Sequence, residues 1–219
     1  VWMDYVHWHA QFEEPEPILP ETCFCDHCLQ RFSADHDIQL PEGSNASRAE
    51  WILQNEDQAW RDWRCSIIVE WAREMKQIVQ SIRPEALLGL YHCPWQDDEF
   101  DEARRRILGL DYDLLKEEVD VFSPMVYHQR MGRDPDWVAE NIDWFCERLQ
   151  VGDGPLPRVW PIVQAHNSPD IVSAYDFEQV LRGGLSSCAT GVMMFTTRSV
   201  ADSEEKIEVV SQVYLPDGQ

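Results

Sequence analysis

Three cysteines fall within six residues of the stretch 22-TCFCDHCLQRF-32: Cys23, Cys25 and Cys28. This spacing lets three thiolates wrap one ion from a single turn that leads into a helix near 28–35. Zinc in a structural role takes four soft ligands in a tetrahedron, whereas a catalytic zinc keeps one position open. Three thiolates make an electron-rich site that activates water poorly. The cysteine-rich loop at 20–35 therefore reads as a structural zinc clamp, ahead of empty reduced thiols and of a catalytic metal. His27 or Cys65 can supply a fourth ligand.

Asp4 is a lone carboxylate inside the apolar run 1-VWMDYV-6. A charge in that setting is costly unless a partner or a function explains it. The run 97-DDEFDE-102 follows Pro94–Trp95 and offers a second acid, of which Asp98 is favoured. Paired carboxyl groups about 5–5.5 Å or about 6.5–9.5 Å apart are the machinery of glycoside hydrolysis. Asp4 would be nucleophile or electrostatic stabiliser, and an acid from the loop or from upstream the proton donor. Tyr5, His92, Tyr127, His128, Gln164 and His166 can hydrogen-bond sugar hydroxyls, and Trp95 can stack on a ring face. The same histidines support a second reading. His7-x-His9 with His92, His128 and His166 resembles the imidazole ligand set of metal-dependent amidohydrolases. That reading lacks an acid on the last strand, which reads Phe195-Thr196-Thr197-Arg198. A third reading is a barrel that binds carbohydrate without turnover.

Five apolar-rich segments must carry these groups. Runs at 1–6, 86–95, 119–128, 158–166 and 190–199 are continuous rather than alternating, as parallel strands covered on both faces require. Helical periodicity fills 48–82, with Ser47 as N-cap, and also 135–149, 175–188 and 203–214. The polar stretch 39–47 reads as a loop. No Gly-rich phosphate turn follows the first strand, which argues against a doubly wound sheet. Every strand ends in polar or aromatic residues, the signature of a (β/α)8 TIM barrel whose site gathers at the C-terminal strand ends. Five βα units are too few to close a barrel. The chain reads as strands four to eight in a single partial domain over 1–219.

The net charge is −22, from 40 acidic and 18 basic residues. Such a chain repels nucleic acid and anionic membranes and leaves neutral or cationic small molecules and oligosaccharides as partners. No apolar run reaches the roughly 18–20 residues that span a bilayer. Val1 already lies in a strand-like run, with no basic leader, which reads as a fragment or processed chain. Seven cysteines, three clustered and four scattered, do not form an evenly spaced disulfide framework. Free or metal-bound thiols favour a reducing compartment such as the cytoplasm.

"DYVHWH" followed by "CFCDHCLQRF" and then "VDVFSPMVYH" resembles the bacterial glycoside-hydrolase-like (β/α)8 barrels. The cysteine loop is similar to that of the family 42 β-galactosidases. There it binds a structural zinc beside the active-site mouth, and the resemblance implies an upstream cysteine as fourth ligand. That family carries its general acid in an Asn-Glu pair on the fourth strand. Here the strand reads Asp4-Tyr5, so the resemblance implies the barrel and the zinc loop but not the family 42 activity.

Overall fold

The computed structural model describes residues 1–151 and 157–215, so the expected domain limit at 219 lies outside the described residues. The strands are β1 (Trp2–Met3), β2 (Gly89–His92), β3 (Val121–Val126), β4 (Arg158–Val159), β5 (Ile162–Gln164) and β6 (Met193–Phe195). All pairings are parallel, in the order β1-β2-β3-β5-β6, with β4 on the first half of β3. The five expected runs thus lie side by side and point the same way. The fourth is split at Trp160–Pro161, because proline has no N–H to give to a ladder. Helices cross over between successive strands, as parallel neighbours demand. The result is an open half of a (β/α)8 barrel.

The crossover from β1 to β2 holds three helices: α1 (Asp26–His36), α2 (Asn45–Asn55) and α3 (Asp57–Ile82). The periodic stretch 48–82 is therefore two helices, broken at Glu56. The N-cap is Ser44, whose Oγ accepts from the Ser47 N–H at 3.2 Å, so the expected Ser47 cap is corrected. Short helices α4 (Ala103–Arg106) and α5 (Tyr112–Leu115) precede β3. Helix α6 (Trp137–Leu149) follows β3, and α7 (Ala174–Gly183) follows β5. Helices α8 (Thr197–Ala201) and α9 (Glu204–Tyr214) follow β6.

Successive residues of each strand face opposite sides of the sheet. Leu90, Phe122, Val126 and Val163 belong to the main core under the helices, with Ile142, Phe145, Val180 and Leu181 from α6 and α7. The opposite, concave face carries Trp2, stacked on Tyr91 at 4.7 Å and tilted against Trp160 at 6.1 Å. Gly89 makes room for Trp2, since a Cβ at residue 89 would meet the indole at 2.3 Å. A second, smaller core joins Leu29 and Phe32 of α1, Ile52 of α2, and Trp60 and Trp63 of α3. Phe24 stacks on Trp60 at 4.8 Å and seats the cysteine loop on this helical excursion.

Two of the scattered cysteines correct the all-thiol reading. Cys146 of α6 and Cys188, beyond α7, form a disulfide that closes 42 residues. Helices α6 and α7 pack together, and this brings residues distant in sequence to adjacent positions. The argument for a reducing compartment loses its premise there, while Cys65 and Cys93 are buried free thiols.

Candidate active site at the strand ends

Asp4 lies one residue beyond β1 and is exposed, not enclosed in apolar surroundings as the sequence suggests. Its Oδ1 accepts from the Tyr5 N–H at 2.9 Å. Tyr5 has φ 54° and is 79 % exposed. A left-handed tyrosine is strained, and such residues cluster at functional sites. The turn sends the chain into a small hairpin closed by the antiparallel Gln11–Ile18 bridge. This hairpin presents Phe12, Glu13 and Glu14 opposite the end of β3.

A cleft of about 380 Å³ opens there, lined by Tyr5, His7, Gln11, Phe12, Glu13, Glu14 and Arg130, with Ala10. Arg130 Nη1 lies 2.9 Å from Glu13 Oε2, and Nη2 lies 3.8 Å from Glu14 Oε1. The Arg130 N–H donates to Gln164 Oε1 at 3.1 Å, which ties the cleft to β5. His7 Nδ1 is 2.7 Å from the Trp8 carbonyl oxygen. Burial lowers the His7 pKa; the hydrogen bond to Trp8 and the carboxylates of Asp4 and Glu13 oppose that shift. Burial raises the Tyr127 phenol, and Glu13 and Asp4 raise it further. Burial also raises Tyr91, again with a contribution from Asp4. One electrostatic neighbourhood therefore contains Asp4, His7, Glu13, Tyr91, Tyr127 and Arg130, contributed by the ends of β1, β2 and β3 and by the hairpin.

The other sequence-selected residues divide by face. Tyr127 and His166 remain at the strand ends: the two rings meet edge to face at 5.8 Å, and Phe195 packs on both. Gln164 is buried. Its amide donates to the carbonyls of His166 and Ser168 at 3.1 and 2.9 Å, which makes it a brace for the loop after β5. His92 is on the convex face, 1 % exposed, among Tyr112, Phe122 and Phe145. Its Nδ1 meets Tyr112 Oη and the Cys93 carbonyl oxygen at 2.9 Å each. His128 is likewise buried, and burial lowers its pKa. Trp95 is buried against Phe12 and Phe100 and offers no open ring face. Asp98 is exposed on the loop after β2; neither it nor Asp4 is among the residues lining the cleft, but Asp4 adjoins it through Tyr5. Among the described residues the strand-end histidines form no shared metal position, so the amidohydrolase reading is not favoured.

Two site residues escaped the sequence reading. Glu13 sits in a run of acids and prolines that looks like solvated loop, and Arg130 ends a strand already credited with Tyr127 and His128. Arg130 follows the end of β3, where such sites gather, but Glu13 is brought there by the hairpin, which no strand-end position signals.

The sulfurs of Cys23, Cys25 and Cys28 lie within 4.8 Å of one another. Cys25 is the N-cap of α1, and the N–H of Cys28 lowers its pKa, helped by hydrogen bonds from the thiols of Cys23 and Cys28. Burial pushes Cys28 up to about 12, with its thiol neighbours adding to the rise. A tetrahedral zinc at about 2.3 Å from each thiolate spaces its sulfurs about 3.8 Å apart. The trio fits three corners of that tetrahedron. Among the described residues no fourth His, Cys, Asp or Glu joins it, so neither His27 nor Cys65 completes the set. Cys65 is buried on α3, and its thiol donates to the Arg105 carbonyl at 3.8 Å.

No protein-family model matches the chain, and no curated protein matches it. Among solved structures, the glycoside hydrolase domain of PgaB (BpsB) from Bordetella bronchiseptica superposes with a TM-score of 0.66 at 10 % identity. The match covers 95 % of this chain and 54 % of that one. The likeness shows the fold, that of an open half of a (β/α)8 barrel. Bee venom hyaluronidase is a more remote neighbour, with a TM-score of 0.46 at 14 % identity over 87 % of this chain and 61 % of that one. Its complex with a hyaluronic acid tetramer gives 0.47 at 15 % identity, over 89 % and 60 %. The chain spans about half the length of the PgaB domain structure.

Proposed function

We propose that this half-barrel carries the catalytic face of a carbohydrate-active hydrolase, with Asp4 and Glu13 as its carboxylate pair. The observation that carries the reading is a cleft beyond the C-terminal ends of β1 and β3, lined by Tyr5, His7 and Glu13, in which Arg130 holds Glu13 at 2.9 Å and the Asp4 carboxylate accepts from the Tyr5 N–H at the edge. Glycoside hydrolysis needs two such groups flanking one bond, one to stabilise or attack the sugar carbon and one to handle the proton. Glu13 takes the part that the sequence suggested for Asp98. Arg130 positions Glu13, and Tyr5, His7 and Tyr127 serve the sugar hydroxyls, with Tyr5 and Phe195 as exposed ring faces. The cysteine trio holds a structural zinc in this reading and fixes the helical excursion beside the cleft.

The test is a reducing-end assay on neutral oligosaccharides, run beside calorimetry. Asp4→Asn and Glu13→Gln should each lower kcat at least about 100-fold, the scale of a lost general acid–base or charge-stabilising group. Both variants should keep binding and an unchanged Tm. Binding without turnover in the parent chain would instead favour the non-catalytic carbohydrate-binding barrel. Loss of solubility in Asp4→Asn would assign that residue to the fold.

A further inference from the structure

A second recess, of about 310 Å³, lies beyond the last two strands and away from the Glu13 cleft. Its walls are the loop after β5, with Asn167 and Ser173, and the segment after β6, with Ser199, Ser203 and Lys206. Lys206 stands out because only 4 % of it is exposed. Its Nζ donates to the Ala165 carbonyl at 2.8 Å and to Asn167 Oδ1 at 3.2 Å. Both acceptors are neutral, and among the described residues no carboxylate lies within the 4.0 Å of an ion pair with it. An ammonium has three donors, two of which are used here; the Phe177 ring lies 5.9 Å from Nζ, but no anion balances the charge among the described residues. A buried charge without a counter-charge is costly, by several kcal/mol where it has been measured.

The surroundings supply further donors. Helices α7 and α9 begin at this recess, with Ser173 and Ser203 as their N-caps. Ser203 Oγ accepts from the Lys206 N–H at 3.3 Å and keeps its own proton. Asn167 Oδ1 also accepts from the Val172 N–H at 3.0 Å, which turns the amide NH2 of Asn167 outward from that pair. Two acids share the rim. Asp202 lies 3.5 Å from Arg198, and Glu205 is exposed. In (β/α)8 barrels the loops after the seventh and eighth strands, with the start of a short extra helix, form a recurrent phosphate site. β5 and β6 are the last two strands of this sheet, and the recess lies between the segments that follow them.

We propose that this recess binds a phosphate group, with the Lys206 ammonium as its counter-charge and the Ser203 hydroxyl and Asn167 amide as neutral donors. The recess is larger than a bare ion, so the ligand class is a small phosphate monoester. The proposal stands independently of the glycosidase reading. The two rim acids disfavour longer polyphosphates.

The test is a titration of the full chain with inorganic phosphate, followed by thermal unfolding and by the amide NMR signals of Asn167, Ser203 and Lys206. Sodium chloride at matched ionic strength is the control. Phosphate should raise Tm saturably by several degrees, as any ligand of the folded state does. Lys206→Gln should weaken the apparent affinity at least tenfold. Asn167→Asp places a carboxylate on the ammonium from within the chain. It should raise Tm without phosphate and abolish the phosphate response. The proposal is overturned if phosphate gives no more than chloride does, or if Lys206→Gln leaves the response intact, which would mark an adventitious ion only. It is equally overturned if Asn167→Asp does not raise Tm. Because Asn167→Asp keeps Lys206, failure of the glutamine variant to fold leaves a decisive measurement.

Discussion

Asp4 and Tyr91 sit on one face of the sheet and His92 on the other, and that single step separates chemistry from stability. Among Tyr112, Phe122 and Phe145, burial lowers the His92 pKa to about 3 from the usual 6.5. Between those values the unfolded chain binds a proton that the folded chain refuses. The stability linked to His92 is therefore complete above pH 6.5 and is lost as pH falls towards 3. For this group alone the loss by pH 5 is about 2 kcal/mol. His92→Phe fits the aromatic surroundings and removes the titration. Urea unfolding at pH 7 and pH 5 should show a flatter pH dependence in that variant than in the parent. An unchanged slope would place the sensitivity in His7 or His128. Residue type alone marked His92 as a ligand. The fact that Tyr91 is the concave residue follows only from the register Leu90↔Phe122 and Tyr91↔Ser123, which no single strand reveals.

At the scale of elements, the sequence was most legible where hydrophobic runs are long. Five parallel runs and their crossover helices stand where continuous apolarity places them. It was least legible at junctions. The helix break at Glu56, the split of the fourth run at Trp160–Pro161 and the hairpin that carries Glu13 all depend on tertiary context. The disulfide belongs here too, since its two cysteines become neighbours only when α6 meets the end of α7. Cross-linking 42 residues restrains the unfolded chain by about 4 kcal/mol in the chain-entropy account. Cys188→Ser should lower the urea unfolding free energy by roughly that amount, near 3–4 kcal/mol, and a reductant should do the same to the parent chain but not to the variant. If reductant leaves the parent unaffected, the two thiols are not joined in solution.

At the scale of the molecule, the half-barrel leaves two edges and one face open. β1 pairs only with β2 and β6 only with β5 among the described strands. The concave face between them shows Trp2, Met125, Trp160 and Met193 only partly covered. Open parallel edges beside apolar side chains are templates for association. The 219-residue chain by itself should therefore self-associate as concentration rises, despite repulsion from a net charge of −22. Light scattering across a dilution series would measure this, with association strengthening as salt screens the charge. A monomer at every concentration would show that the curved sheet protects its own rims.

One glycine links these scales. Gly89 lies under the indole of Trp2, and Trp2 is two residues from the carboxylate at the strand tip. A single methyl at position 89 would lever the indole upward, so the first strand would have to slide or tilt. Position 89 contributes no side chain to the strand tip, yet the aim of the Asp4 carboxylate rests on keeping that spot bare.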